Sequence, residues 1–472
     1  MKKILVIVFV LYSLFLAIPA QAASTNYIRV GLVKNYSEQD NLTISTKKIY
    51  IGYCKDNSYD KNSGIHLTSN SGFSFVPQTG YFYISKKSFS RYETVCEIAS
   101  HFKTMQISAY PAMTGKNEWK IYIGGSDDKK TVSSLLDEID GRFGLSFGKL
   151  QKNNGHRYVL TGSSDSFLVD GKTHSMYPQI VSEEQNKNKI KTIHLGGTEY
   201  RGRIEIGCYN DSDKLTAVNI ISVEQYLYGT VPNQINVIWP TEALKAQSII
   251  TRNNTVYDAS FLADSNIDIG YTLTDDKHGQ VYSGYAKENE YTTDAINATK
   301  NSLIFYKKKL ISLPFCQNNG GYVESSFRAW HIKTEYLKPK TDKYTPESNW
   351  QTKYTGEQLQ KKLEQISPNI GEIQDVEIIS TVKKSNRVSS LRLVGENKTL
   401  ILQSDLVYSL LELNSSLFEV EHQAGSDNIF IFTGKGIGSG VGFSKEGAKK
   451  MAEEGMDYKE ILHYYYKDID IE

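Results

Sequence analysis

The residues able to do chemistry in this chain are scattered, and their types restrict the chemistry open to them. Gly434-Lys435-Gly436-Ile437-Gly438-Ser439-Gly440-Val441-Gly442 has the glycine density of a phosphate-cradling loop. It lacks the Lys-Ser/Thr ending of such loops, so its glycines are expected to permit tight backbone turns instead. Thr274-Asp275-Asp276-Lys277-His278-Gly279 brings two acids and one histidine together. That is too few for a zinc site without other help, and no metal or cofactor is expected. Asp275-Asp276 reads as a turn, and Glu242 as a charge at the positive end of a helix. Cys54, Cys96, Cys208 and Cys316 show no C-x-x-C spacing. That leaves disulfide pairing in an oxidising compartment and buried thiols as equal alternatives.

The composition narrows the class of scaffold that must position these groups. The chain has 472 residues, and 54 basic against 53 acidic side chains leave a formal charge of +1. A nucleic-acid binder needs clustered basic excess, so none is expected as a partner. A hydrophobic share of 39% with 23% charged residues excludes a disordered chain and a polytopic membrane protein. Tyrosine, at 32 residues, dominates the aromatic content. Its apolar face and hydroxyl suit sugars and wet surfaces as well as cores.

Met1-Lys2-Lys3, an apolar run reaching Ile18, and Pro19-Ala20-Gln21-Ala22 supply the three parts of a secretory signal peptide over residues 1–22. The run is shorter than the ~20 residues of a usual span. An uncleaved anchor helix is the alternative. Export to the cell envelope or beyond is expected, with no membrane span once the leader is removed.

Residues 24–74 are β-rich, with Ile28-Arg29-Val30-Gly31-Leu32 and Ile49-Tyr50-Ile51 as short strands. Over 75–148 the pattern gives a strand, a helix capped by Ser90, two strands and a second helix, the order β-α-β-β-α. Short strands resume after residue 149. Pro240 opens a helix to about residue 257 that turns Ala243, Ala246, Ile250 and Val256 inward. Near the C-terminus Asp457 and Glu460 have capping-box spacing ahead of Ile461, Leu462 and Tyr465. The fold class read from this is α+β.

Two segments resemble known families. The β-α-β-β-α order, with Ile121-Tyr122-Ile123-Gly124-Gly125 ending a strand before a Lys/Ser-rich helix start, resembles the sporulation-related repeat (SPOR) domain. That resemblance implies binding to peptidoglycan glycan strands, although a generic small α/β domain shares the order. The run V-E-Q-Y-L-Y-G-T-V-P from Val223, followed by W-P-T-E-A-L-K-A-Q-S-I-I-T-R from Trp239, resembles the stage II sporulation protein D (SpoIID)/LytB family. Gln280-Val281-Tyr282, residues 295–300, Gly320-Gly321-Tyr322-Val323-Glu324, the 434–442 loop and the tyrosine-rich tail agree in order. The resemblance implies a SpoIID/LytB-like mixed fold over 149–472, with the SPOR-like unit as an insertion.

Enzymes of that family look like peptidoglycan lytic transglycosylases. One carboxyl group protonates the glycosidic oxygen and then takes the proton of the sugar's own C6 hydroxyl. The family's V-P-x-E-M-P block reads Val231-Pro232-Asn233-Gln234-Ile235-Asn236, so the acid's position holds Gln234. An amide hydrogen-bonds a sugar but donates no proton at neutral pH. The block whose two cysteines and histidine look like metal ligands in family members keeps His278 alone, with Thr274 and Gly279 replacing the cysteines. The H-S-S-S-G-G stretch reads Cys316-Gln317-Asn318-Asn319-Gly320-Gly321, Ser439 stands near a histidine's place, and an arginine expected in the strand before the final helix falls at Val407.

The resemblance therefore implies a folded, catalytically degenerate domain. Asn233, Gln234, Gln317, Asn318, Asn319, Gly320, Ser439 and Gly440 would line a glycan-binding cleft, since amides and hydroxyls both donate and accept. Two readings compete with it. One is an active transglycosylase with a relocated acid at Asp275, Asp276, Glu242 or Glu324. The other is a module that docks another cell-wall hydrolase or amidase.

Overall fold

The computed structural model describes residues 18–19, 27–53, 64–153, 155–171, 177–209, 212–263, 270–276, 280–403, 406–425 and 428–472. Almost all of the expected leader, together with Cys54 and His278, lies outside the described residues. The fold mixes helices with several sheets and is strand-rich. It divides into two compact units. Among the described residues no helix is long and apolar enough to cross a membrane.

The first unit takes residues 24–234 and 258–289. Its seven-stranded sheet has Thr216–Ser222 between Arg203–Gly207 and Tyr27–Gly31, both antiparallel to it. Thr216 to Ile221 are buried one after another, the signature of a strand covered on both faces. A ten-stranded sheet holds Tyr81–Ile84, Ala109–Gly115 and Glu118–Ser126. With the helix Tyr92–Thr104 and the short helices Lys129–Ser133 and Leu136–Ile139, they follow the order expected over 75–148. These strands share their sheet with the flanking chain. Ala109–Gly115 runs parallel to Ser166–Asp170, which pairs with Arg157–Thr161, which in turn pairs with Phe73–Pro77. The boundaries expected at 74/75 and 148/149 thus fall inside one sheet. The helix Tyr92–Thr104 is held by burial of Val95, Ala99 and Phe102; its N-cap is Arg91, without a side-chain bond, and not the expected Ser90.

The second unit takes residues 1–23, 235–257 and 290–472. Its main core gathers Ala246, Ile250, Leu313, Val441, Phe443 and Leu462, among others, and a second cluster includes Leu359, Leu391, Phe430 and Phe432. The helix Thr241–Ala263 contributes residues 241–257, and Ala243, Ala246, Ile250 and Val256 are buried as expected. A belt of polar residues on the same helix, including Gln247, Thr251, Arg252 and Asn253, is buried as well. Asn253 donates to Ile311 O at 2.6 Å and accepts from Ile304 N at 2.8 Å. Asn254 donates to Leu313 O at 2.9 Å and accepts from Leu313 N at 2.8 Å. These amides hold backbone groups of the 304–313 segment that would otherwise be buried unpaired. At the C-terminus Ser444 caps Lys445–Glu453, and Asp457 with Glu460 closes the expected capping box on Tyr458–Tyr465.

Candidate functional site

In the first unit, Asn233 and Gln234 end the helix Val223–Gln234. Pro232 has no N–H to continue the helical ladder, which loosens the last turn. The Asn233 side chain ties the helix end to its surroundings: its Nδ2 donates to Gly229 O at 2.8 Å and Val281 O at 3.2 Å, and its Oδ1 accepts from Ser283 Oγ at 3.3 Å. Asn233 is exposed and Gln234 half-buried. Gln234 Nε2 donates to Gln280 Oε1 at 3.3 Å, and Gln280 O accepts from Tyr226 OH at 3.3 Å. The helix end therefore carries an amide–amide pair where the resemblance calls for a proton donor.

Asp275 and Asp276 follow the short strand Leu273–Thr274. Asp275 is buried, accepts from Lys34 N at 3.0 Å, and burial raises its pKa. Asp276 accepts from Thr274 Oγ1 at 2.8 Å. Thr274 at a cysteine's place is a hydroxyl already bonded to that acid. With neither thiolate present, the residues do not fit the metal that the family resemblance implies. Among the described residues, no group of three or more His, Cys, Asp or Glu side chains could hold a metal ion.

In the second unit the structure brings the 316–324 segment beside the glycine loop. Phe315–Cys316 runs parallel to Phe443–Ser444, Asn318 and Ile437 exchange backbone hydrogen bonds of 3.1 and 2.8 Å, and Glu324 N donates to Gly440 O at 2.8 Å. The approach is close enough that the loop needs glycine at two places in particular. Gly440 has φ +78° with a would-be Cβ 2.3 Å from Arg387 Nη2, and Gly442 has φ +75° with a would-be Cβ 2.0 Å from Pro314 O.

The amides expected to line a cleft here are framework instead. Asn318 and Asn319 are fully buried. Asn318 Nδ2 donates to Pro346 O at 3.0 Å and Glu446 Oε2 at 2.6 Å, while its Oδ1 accepts from Gly320 N at 2.8 Å. Asn319 Nδ2 donates to Asp342 Oδ2 at 2.6 Å and its Oδ1 accepts from Gly321 N at 2.9 Å. A buried amide must spend its donors and acceptors inside the fold, which leaves these two nothing to offer a sugar. Gln317, half-buried, donates to Glu446 Oε1 at 3.0 Å. Gly320 and Gly440 act through backbone alone. Ser439, also half-buried, accepts from Val441 N at 3.3 Å and borders a recess of about 10 Å³ shared with Glu324, Arg387 and Ser416. That volume suits one water, not a sugar ring.

The sequence reading missed the groups that organise this network. Asp342 is its hub: buried, it accepts from Asn319, Tyr344 N, Thr345 N and Oγ1, and Tyr465 OH. The Asp-x-x-Thr spacing of Asp342 and Thr345 signals a local turn, but not the long-range partners. Arg387, buried, donates from Nη2 to Asn319 O at 2.9 Å and from Nη1 to Ser416 Oγ at 3.3 Å. The arginine sought at Val407 is not there to be found in a strand. Val407 sits on the short helix Leu406–Ser409, buried in the apolar cluster with Leu411 and Leu413. Of the replacement acids in this unit, Glu324 is buried, accepting from Ser325 N at 2.7 Å and from Ser385 Oγ. Glu242 accepts from Lys245 Nζ at 2.7 Å and Tyr458 N at 3.0 Å, which ties the start of one helix to the start of another.

Burial pushes the Cys208 and Cys316 thiols up to about 12, and these cysteines and Cys96 are free. Thiols so raised are inert packing groups. Desolvation lowers Lys340 to about 8; its ammonium donates to Tyr464 O and stands 3.1 Å from the centre of the Tyr464 ring.

Comparison with known proteins adds an independent line. The profile of stage II sporulation protein matches residues 211–306, and that of a domain of unknown function (DUF8618) matches residues 323–442. An uncharacterized protein of Brachyspira hyodysenteriae (strain ATCC 49526 / WA1) is 31% identical over 284 residues, covering 59% of this chain and 73% of that protein. The amidase enhancer of Bacillus subtilis (strain 168) is 24% identical over 465 residues, 80% of this chain and 63% of that protein. A stage II sporulation protein D from Bacillus amyloliquefaciens is 28% identical over 269 residues, 54% of this chain and 75% of that protein.

Proposed function

The chain belongs to the stage II sporulation protein D family, and from that premise we propose that it is an exported cell-wall protein that binds peptidoglycan glycan strands without cleaving them. The observation that carries this reading is the amide pair at Gln234 and Gln280. Lytic transglycosylation needs one group that gives a proton to the leaving oxygen and accepts another within the same turnover. A carboxyl group with a raised pKa does both, and a carboxamide does neither. The contrast between a kept framework and a lost acid supports binding over catalysis. The buried Asn318, Asn319 and Asp342 network holds the glycine loop in place. In the first unit, Asn233 and Gln234 at a helix end remain the uncharged groups that a glycan would meet.

A second reading has its own support. A relative named amidase enhancer aligns over 80% of the chain, which favours docking to an amidase. Sedimentation of the full-length chain with insoluble purified peptidoglycan separates the two. Glycan binding predicts co-sedimentation of the protein alone. Docking predicts that it stays in the supernatant until an amidase is added, and that result would sink the glycan reading.

A further inference from the structure

The ten-stranded sheet of the first unit carries a polar pocket apart from the residues at positions 233 and 234. In Glu118–Ser126, side chains alternate between the two faces. Trp119 meets Tyr92 of the helix Tyr92–Thr104 at 4.8 Å between ring centres, so Lys120 and Tyr122 point to the opposite face. There a pocket of about 290 Å³ is bordered by Lys120, Tyr122, Asn153, His156, Arg157 and Asp170. Asp170 accepts from Tyr122 OH and from Arg157 Nε, the latter at 3.1 Å. The Arg157 guanidinium lies 5.2 Å from the centre of the Tyr122 ring.

Arg157 is 9% exposed, yet its Nη1 has no hydrogen-bond partner among the described residues, and neither has Asn153 Oδ1. Leaving such groups buried and unmet is unfavourable. Both residues border the pocket, so its wall carries a guanidinium and an amide that the fold leaves partly unmet.

We propose that this pocket binds a carboxylate-bearing sugar. Among the side chains bordering the pocket, Lys120 and Arg157 outnumber the one acid, Asp170, so a single carboxylate balances them. A phosphate monoester would bring surplus negative charge beside Asp170. The carboxylate meets the Arg157 guanidinium and Lys120, and the Asn153 amide hydrogen-bonds a sugar hydroxyl or acetamido group. The volume is at the lower edge of the roughly 300–1,000 Å³ of small-molecule pockets, which fits one sugar residue and not a chain. That the sugar comes from the cell wall rests on the function proposed above; the carboxylate does not.

Calorimetric titration of the full-length chain tests this, using N-acetylmuramic acid, its carboxyl-reduced alcohol, and inorganic phosphate. The acid is expected to bind about tenfold or more tighter than the alcohol, the value of one charge-assisted contact, and tighter than phosphate. Lys120→Ala and Asn153→Ala, both at half-buried positions, are each expected to weaken the acid without unfolding the chain. Equal binding of acid and alcohol, preference for phosphate, or no binding of the acid overturns the site. Failure to sediment with peptidoglycan would strike the wall reading alone and leave the acid-against-alcohol comparison decisive for the pocket.

Discussion

Gly442→Ala is expected to destabilise the second unit by about 2–5 kcal/mol, because two separate penalties add. Its φ of +75° puts an L-residue in the left-handed region, and the new Cβ would lie 2.0 Å from Pro314 O, a backbone atom unable to swing aside. The parallel pairing of Phe315–Cys316 with Phe443–Ser444 would have to open to admit it. Gly321→Ala separates the two penalties. Its φ is +88° but a Cβ there meets nothing within 4 Å, so it bears only the strain, about 1–2 kcal/mol. Gly425, with open space and no positive φ, is the neutral control. Denaturant unfolding of the three variants should rank Gly442→Ala far below Gly321→Ala, and Gly321→Ala below Gly425→Ala. A Gly442→Ala midpoint equal to the control would show that the loop is not held as tightly as described.

Asp342→Ala is expected to cost about 3–5 kcal/mol, since it strands several buried donors at once. Asn319 Nδ2, Thr345 Oγ1, Tyr465 OH and the amides of Tyr344 and Thr345 would all lose their acceptor. Asp342→Asn keeps an oxygen for the two amides but sets an NH₂ against Asn319, and should fall between the wild type and the alanine variant. Thermal unfolding followed by circular dichroism reads both. The result also bears on function. If Asn319 served a sugar, Asn319→Ala would weaken glycan binding in a stable protein. The buried network requires the opposite order, with stability lost first. A stable Asp342→Ala variant, within about 1 kcal/mol of wild type, would contradict the hub.

The parts of this structure that the sequence showed are those set by local pattern. The apolar face of the helix Thr241–Ala263, the capping box of Asp457 and Glu460, and the β-α-β-β order after residue 75 all follow from short-range periodicity and end signals. What stayed hidden depends on partners far along the chain. Nothing local marks Asn253 and Asn254 for the role that Ile304, Ile311 and Leu313 give them. Asn318 and Asn319 looked like open hydrogen-bonders because nothing nearby in sequence reveals that Glu446 and Asp342 receive them. The same blindness misplaced Val407, whose apolar burial is a tertiary fact. The amide at position 234, where the family resemblance implies an acid, was by contrast legible at once, since residue type alone decides whether a proton can be given.

That Gln234 cannot serve as a proton donor is the central claim, and digestion of purified peptidoglycan tests it most directly. The full-length chain is incubated with the polymer at neutral pH, and soluble products are separated and weighed by mass spectrometry. The account predicts no anhydro-muropeptides from the wild type, and little from Gln234→Glu, because the flanking Gln280 amide and the missing family histidines are not restored with the acid. Anhydro-muropeptides from the wild type, abolished by Gln234→Ala or by Asp275→Asn, would contradict it.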